Sequence, residues 1–188
     1  MCIRDRKTHV IEIHAGQITT TDLTISLPPT LNFEPFGAYS KIAAVERHHN
    51  TGKIGVAVAK GYGIRNGAVA SSVSHDSHNI IVIGDNDADM AIAVNEIIRT
   101  QGGYTVVENG KVYETLALPI MGLMSDAGFE NVNEALQRMI QKAHQMGVAS
   151  KIDPFVTLSF LALPVIPELR ITPRGICKMT AKGPAILS

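Results

Sequence analysis

Apolar residues alternate with polar ones over several short stretches of the chain, which is the pattern of half-buried β-strands. The stretches 9–13 and 23–27, separated by a turn at Ala15-Gly16, predict two short strands. Four further predicted strands are Lys41–Arg47, Ile54–Ala59, Gly67–Val73 and Ile80–Gly84. The last of these is apolar on both faces, so we expect it in the interior of a sheet.

Small residues fill one face of the predicted strand Ile54–Ala59. Gly55, Ala57 and Ala59 share that face, because side chains alternate along a strand. We expect another layer to approach closely on this face, since no long side chain would hold it away.

Two stretches with apolar residues at helical spacing predict helices in the second half of the chain. Asp87 is the expected N-cap of the first helix, and Asn131 with Glu134 three residues later has the pattern of a capping box for the second. Asn109-Gly110, between the two helices, is a strong signal for a β-hairpin turn. The apolar stretch Asp153–Ile171 contains three prolines, and we expect it to run over the core as extended chain.

These elements favour an α+β fold, a mixed sheet with two main helices packed on it, because strands and helices do not alternate regularly. The first two strands are too few to form a stable unit. We expect them to be the edge of a preceding β domain, or strands donated to another sheet. The predicted domains are therefore residual strands with a Pro-rich linker at 1–37 and a main domain at 38–188.

Composition and charge narrow the classes of function. The 17 basic and 17 acidic residues cancel and form no long run of one sign, which argues against a nucleic-acid partner. The longest apolar run, Val156–Ile166, is too short to span a bilayer, and Met1–Arg6 lacks the apolar core of a signal peptide. Two distant cysteines, Cys2 and Cys177, suit a reducing compartment. We therefore expect a cytoplasmic protein with no membrane partner.

The most informative polar segment is His75-Asp76-Ser77-His78-Asn79, which separates two apolar strands. Two imidazoles and a carboxylate that converge in a turn can hold a divalent transition metal or relay protons near neutral pH. The competing interpretation is a polar loop whose side chains satisfy backbone groups at the end of a strand.

A second polar segment, Arg47-His48-His49, closes another predicted strand. Taken alone, it is better explained as an exposed strand end. Its weight as a functional segment rises only if it meets residues 75–79 at the same edge of the sheet, which adjacent strands would allow.

Four segments of the chain have a distinctive sequence. They are Glu46-Arg47-His48 with Thr51-Gly52, Gly67–Gly84 (GAVASSVSHDSHNIIVIG), Leu118–Ser125 (LPIMGLMS) and Pro154–Leu169 (PFVTLSFLALPVIPEL). Together they resemble bacterial and archaeal adenine deaminases, in the order in which that family has them. The resemblance covers roughly residues 40 to 176.

This resemblance implies a member of the amidohydrolase superfamily that hydrolyses adenine to hypoxanthine and ammonia. In that family a water bound to manganese or iron attacks the purine, and the metal lowers the pKa of that water. The resemblance also implies that the main metal ligands lie on a preceding (β/α)₈ barrel, which needs about 250 residues. The chain then corresponds to the C-terminal domain, and we expect no turnover from it alone.

The resemblance also gives weight to both polar segments. The implied catalytic residues are His75, Asp76 and His78, with Asp76 and His78 as a proton-handling pair and His75 as a further polar contact. The implied substrate-binding residues are Arg47, His48, Ser77 and Asn79. No metal ligand is assigned within this chain, and the expected partners are adenine, the N-terminal barrel and further copies in a homo-oligomer.

Two other functions stay open on the sequence. A non-catalytic assembly domain would supply packing and oligomer contacts while all chemistry takes place on the barrel. A small free-standing metal-binding protein would have to complete its coordination from His75, Asp76, His78 and His48.

Overall fold

The computed structural model describes residues 6–27 and 37–187. The predictions that concern Cys2, the other residues of 1–5 and the Pro-rich segment 28–36 lie outside the described residues. The strands are β1 (Arg6–Ile13), β2 (Thr20–Leu27), β3 (Tyr39–Val45), β4 (Ile54–Lys60), β5 (Gly67–Ser71), β6 (Ile80–Gly84), β7 (Gly103–Glu108), β8 (Lys111–Ala117), β9 (Leu169–Thr172), β10 (Gly175–Thr180) and β11 (Gly183–Ile186). The helices are α1 (Asp87–Arg99), α2 (Phe129–Gln145) and α3 (Pro154–Leu161). Among the helices of these ranges, none is both long and apolar enough to cross a membrane.

The larger sheet has eight strands in the order β2-β1-β4-β3-β6-β5-β7-β8. Neighbouring strands run antiparallel except β1 and β4, which run parallel, so the sheet is mixed. A smaller antiparallel sheet has the order β11-β10-β9. The predicted α+β fold is confirmed, and β6 lies in the interior of the sheet as expected.

The first two strands extend the main sheet at one edge. β1 pairs with β4 so that Val10 lies opposite Val58. The β1–β2 hairpin also contacts the small sheet, because the carboxylate of Asp22 accepts a hydrogen bond from Lys178 at 2.7 Å. The boundary between residues 37 and 38 stays a prediction.

Apolar side chains cover both faces of the main sheet. On one face, α2, α3 and β9 contribute buried residues such as Met139, Leu158 and Ile171. On the other face, α1 packs through Met90 and Ile97. Both layers contact alternate residues of the same central strands, as the two-residue period of a strand requires. Because both faces carry apolar layers, polar side chains can gather at the loops that follow the strand ends.

The close approach expected at the small face of β4 is confirmed. A Cβ atom on Gly55 would stand 1.9 Å from the carbonyl oxygen of Thr172. The opposite face of the strand carries Ile54 and Val56, which are 58% and 53% exposed. The strand therefore packs against the small sheet through its smallest residues, whereas two large ones face solvent.

The prediction that Asp153–Ile171 is extended is wrong, because α3 occupies the first half of that stretch. The Asp153 carboxylate caps this helix and accepts hydrogen bonds from the N–H groups of Phe155 and Val156 at 2.9 and 2.8 Å. Pro154 lies in the first turn, where the missing N–H has no helical partner to lose. Most of the helix is buried, so its sequence lacks the alternation of apolar and polar faces that marks a surface helix.

Two predicted helix caps are also wrong. Asn86, not Asp87, caps α1 and accepts a backbone N–H hydrogen bond at 2.9 Å. Gly128 precedes α2 without a side-chain cap, and the Asn131 amide instead donates to the carbonyl of Ala127 at 2.8 Å. Both helices begin earlier than the sequence pattern indicated, so the polar residues chosen as caps lie inside the first turn.

The hairpin turn predicted at Asn109-Gly110 is confirmed between β7 and β8. Asn109 and Gly110 both have positive φ angles, 50° and 78°. Type I′ hairpin turns need this combination, which asparagine followed by glycine adopts at little cost.

Candidate functional site

The two polar segments singled out in the sequence meet at one edge of the main sheet. β3 and β6 are neighbours, with Val45 opposite Ile80, so the chain that leaves β3 lies beside the chain that enters β6. The N–H of Arg47 donates to Oδ1 of Asn79 at 3.2 Å. The condition for taking Arg47-His48 as a functional segment is therefore met.

The polar segment between β5 and β6 forms a turn fixed by its own backbone. The His78 N–H donates to the Ser74 carbonyl at 2.7 Å, and the Ser74 hydroxyl donates to the Asn79 carbonyl at 2.6 Å. The His75 N–H donates to the carbonyl of Ser159 in α3 at 3.2 Å. The turn is thus hydrogen-bonded both within itself and to α3.

Arg47 links this turn to a third segment. Its Nε donates to the His78 carbonyl at 2.6 Å, and its Nη2 donates to the Met121 carbonyl at 2.7 Å. Burial lowers the pKa of the Arg47 guanidinium, although arginine stays charged at any physiological pH. Arg47 thus positions the backbone at the site, and its predicted contact with substrate stays a prediction.

His48 lies against the same turn, and Glu46 fixes the backbone around it. His48 Nε2 is 2.6 Å from the Ser77 carbonyl, which can only accept, so Nε2 carries the proton. The Glu46 carboxylate accepts hydrogen bonds from the N–H groups of Thr51, His49 and His48 and from the Thr51 hydroxyl. These bonds, among which the one from the Thr51 N–H contributes most, lower the pKa of Glu46 to about 2.

The imidazoles of His75 and His78 lie next to each other, with 6.0 Å between ring centroids. Phe160 of α3 covers His75 at 5.4 Å between centroids. Nδ1 of His78 is buried and has no hydrogen-bond partner among the described residues. Burial, and then the nearby His75 and Arg47, lower the pKa of His78 below its ordinary value of 6.5. His78 is therefore neutral at pH 7 and can accept a proton.

The structure pairs Asp76 with His75, since Nδ1 of His75 and Oδ1 of Asp76 are 3.7 Å apart. The Asp76 side chain is 87% exposed and that of His75 is 42% exposed. The proton-handling pair of Asp76 and His78 stays a prediction, because the Asp76 carboxylate lies beside the other histidine.

The potential metal ligands do not gather into a metal centre. Within residues 6–27 and 37–187, no three His, Cys, Asp or Glu side chains are grouped closely enough to hold an ion. His75, Asp76 and His78 therefore do not fit manganese or iron by themselves. This arrangement gives no support to the hypothesis of a free-standing metal-binding protein.

The turn at Ile120–Met124 is part of the site and was missed as a functional segment. It is closed by two backbone hydrogen bonds between its ends, at 3.1 and 3.2 Å. The Ser72 hydroxyl donates to the Gly122 carbonyl at 2.6 Å, beside the bond from Arg47 to Met121. Met121 is 77% exposed. Its only sequence signal was the resemblance, because the segment contains no titratable side chain.

Comparison with known proteins places these features in a family. The model of the adenine deaminase C-terminal domain matches residues 17–182, which include all seven predicted site residues. The chain belongs to this family. The edge of the main sheet that carries these residues is thus part of an adenine deaminase C-terminal domain.

Several curated relatives that match most of this chain are named adenine deaminase. An adenine deaminase of Desulfitobacterium hafniense is 48% identical over 177 residues, which is 94% of this chain and 31% of the relative. One of Nitratidesulfovibrio vulgaris is 52% identical over 170 residues, and one of Bacillus subtilis is 42% identical over 174 residues, covering 89% and 92% of this chain. The chain spans about 30% of the length of these relatives.

Proposed function

We propose that this chain is the C-terminal part of an adenine deaminase, an enzyme that hydrolyses adenine to hypoxanthine and ammonia. The proposal is supported by the match to the family model and by relatives named adenine deaminase. Because the chain covers under a third of those relatives, the activity belongs to a longer protein, and we expect the chain to be inactive alone.

The cluster of histidines at the sheet edge takes part in this reaction. The observation that carries this proposal is His78, whose Nδ1 is buried without a partner and whose lowered pKa keeps the ring neutral at pH 7. Deamination needs a proton at the leaving amine, and a neutral imidazole can take a proton from water and pass it on. His75, beside Asp76, supplies a second polar contact to the purine.

We place the manganese or iron that the resemblance implies on the preceding barrel. Within residues 6–27 and 37–187, no three potential ligands lie close enough together to hold such an ion by themselves. When bound, such a metal supplies the activated water. The residues of this chain bind, orient and exchange protons.

A chimaera tests the proposal. This chain replaces the matching 177 residues of the D. hafniense adenine deaminase, and the release of ammonia from adenine is measured. We expect the chimaera to be active, whereas the relative truncated before that region is not. His78→Asn should lower kcat by about 100-fold, as the loss of a general acid or base does. The kcat of the unmutated chimaera should fall as the pH drops below the His78 pKa, since a protonated ring cannot accept a further proton.

His144→Asn is the matched control, because His144 lies on α2, away from this edge, and its ring is hydrogen-bonded to the backbone carbonyl of Val148. It should leave kcat unchanged. A folded, active chimaera in which His75→Asn and His78→Asn have no effect on turnover would remove the catalytic role of this edge.

That outcome would favour an assembly domain, and one observation supports this second candidate function. Ile54 and Val56 expose large apolar side chains on the outer face of β4, beside α1. In an assembly domain this face, rather than the histidine edge, would be the sensitive one. Ile54→Ser would then weaken the oligomer while His78→Asn did nothing.

A further inference from the structure

A cavity of about 410 Å³ opens beside the turn that carries the candidate catalytic residues. Its walls come from that turn, from the chain that follows α3, and from the ends of β9 and β11. Cavities of roughly 300–1,000 Å³ with apolar walls and a few polar groups are the usual sites of small-molecule binding. None of the roles assigned above uses the apolar wall of this cavity.

The polar groups of the cavity are concentrated in one segment. Ser74, Asp76, Ser77 and Asn79 line it, Thr172 of β9 adds one more hydroxyl, and Asp76 is the only charged residue among the described ones in the lining. Ser74 and Asn79 are already bonded, to the Asn79 carbonyl and to the N–H of Arg47. The Asp76 carboxylate lies 3.7 Å from Nδ1 of His75, and its side chain is 87% exposed, so its oxygens can accept hydrogen bonds from a ligand.

The opposite wall of the cavity is apolar. It is formed by Leu163, Pro164, Val165, Pro173 and Pro184, among others. These side chains offer a ligand neither donors nor acceptors. A ligand that fits must therefore have an apolar body and one edge that donates hydrogen bonds to a carboxylate.

We propose that this cavity binds a small aminoheterocycle, with its amino edge on Asp76 and its ring against the Val165 wall. A carboxylate accepts hydrogen bonds from an exocyclic amine of a base, as it does in base recognition. The choice of heterocycle rests on the proposed function, which makes the ligand a 6-aminopurine. The Ser77 hydroxyl accepts a bond from the Asn79 amide at 3.1 Å and can donate its own proton to a ring nitrogen.

Calorimetric titration of the 188-residue chain with adenine, purine and hypoxanthine tests this assignment. Adenine should bind at least about tenfold more tightly than the other two, because purine lacks the amine and hypoxanthine presents a carbonyl to the carboxylate. Asp76→Asn should weaken adenine about tenfold and reduce the difference between the three probes. Val165→Phe should abolish binding by filling the cavity, and Val165 is exposed enough to accept the larger ring.

Asp126→Asn is the control, since it removes an exposed carboxylate that does not line the cavity. It should bind adenine like the unmutated chain. Equal binding of the three probes, or adenine binding unaffected by Asp76→Asn and Val165→Phe, would overturn the assignment. The absence of binding would also overturn it, if adenine is present at millimolar concentration in about tenfold excess over a chain that shows a cooperative thermal transition. If the chain shows no such transition, the KM of the chimaera for adenine takes the place of the titration, with the same expectations for the variants.

The two proposals fail separately. A chimaera that does not deaminate adenine, with Asp76-dependent binding of adenine to the chain, would refute the proposed function and leave the cavity assignment in place. An active chimaera that depends on His78, with adenine affinity and KM indifferent to Asp76 and Val165, would refute only the cavity assignment.

Discussion

Arg47→Met provides the sharpest test of how the site is held together. The variant keeps the aliphatic length of the side chain but removes the bonds to the carbonyls of His78 and Met121, at 2.6 and 2.7 Å. A hydrogen bond to a charged group is worth about 1.5–3 kcal/mol when it is desolvated. Arg47 is only partly buried, so water replaces part of what is lost. We expect unfolding to become easier by about 2 kcal/mol in total.

Urea denaturation followed by far-UV circular dichroism measures this loss as a lower midpoint with an unchanged slope. For a chain of this length, the same loss lowers Tm by about 4–8 °C. Arg99→Met is the matched control: Arg99 also makes two charge-assisted bonds, to Glu96 at 2.8 and 2.7 Å, but its side chain is 70% exposed. An ion pair whose cation is largely exposed contributes little, so this variant should lose clearly less stability than Arg47→Met, although the Glu96 side chain is only 13% exposed. The reasoning is refuted if the two variants are equally stable.

Two further variants test the fold and the turn after β3. Gly55→Ala should lower the free energy of unfolding by about 3 kcal/mol or more, because its methyl group collides with the Thr172 backbone and overpacking at a rigid contact is costly; a urea midpoint close to that of the parent would contradict the packing described. Glu46→Gln should lower Tm at pH 7, and the deficit should shrink as the pH falls from 4.5 towards 2. The sign follows from the pKa of Glu46, about 2 in the fold against 4.5 ordinarily: the carboxylate stabilises the fold above pH 4.5 and loses that contribution as it becomes protonated. Thermal melts at pH 7, 5 and 3 check this, and a deficit independent of pH would show that the charge is not responsible.

Much of the sheet could be predicted from the sequence because short stretches that are apolar, or that alternate apolar and polar residues, mark strands when turn residues bound them. The bounds of β6 are those predicted, and the Asn109-Gly110 turn was identifiable from its two residues. The buried helix α3 was not, because a helix surrounded by core has no polar stripe to reveal its period. The Asp153-Pro154 pair was a usable start signal, which the prolines further along obscured.

The candidate site was predictable in its members but not in its connections. A polar segment between two apolar strands marked residues 75–79, and adjacency of strands allowed Arg47 to join them. The sequence could not show that Asp76 faces His75 or that Arg47 binds two carbonyls, because side-chain direction in a turn depends on tertiary contacts. The sequence did not reveal the Ile120–Met124 turn for a similar reason, because this turn contributes backbone carbonyls rather than side chains.

The four segments that carry the family resemblance are far apart in the chain, yet each contributes to this one edge. Arg47 belongs to the first, the histidine turn to the second, Met121 to the third, and Ser159 with Phe160 to the fourth. A fold that needed only a stable core would be served by apolar residues at such a junction, since a buried imidazole nitrogen without a partner costs stability. Polar groups kept at a stability cost, on backbone fixed from three sides, are what a binding or proton-transfer site requires. This is why we place the function at the histidine edge rather than on the apolar outer face of β4.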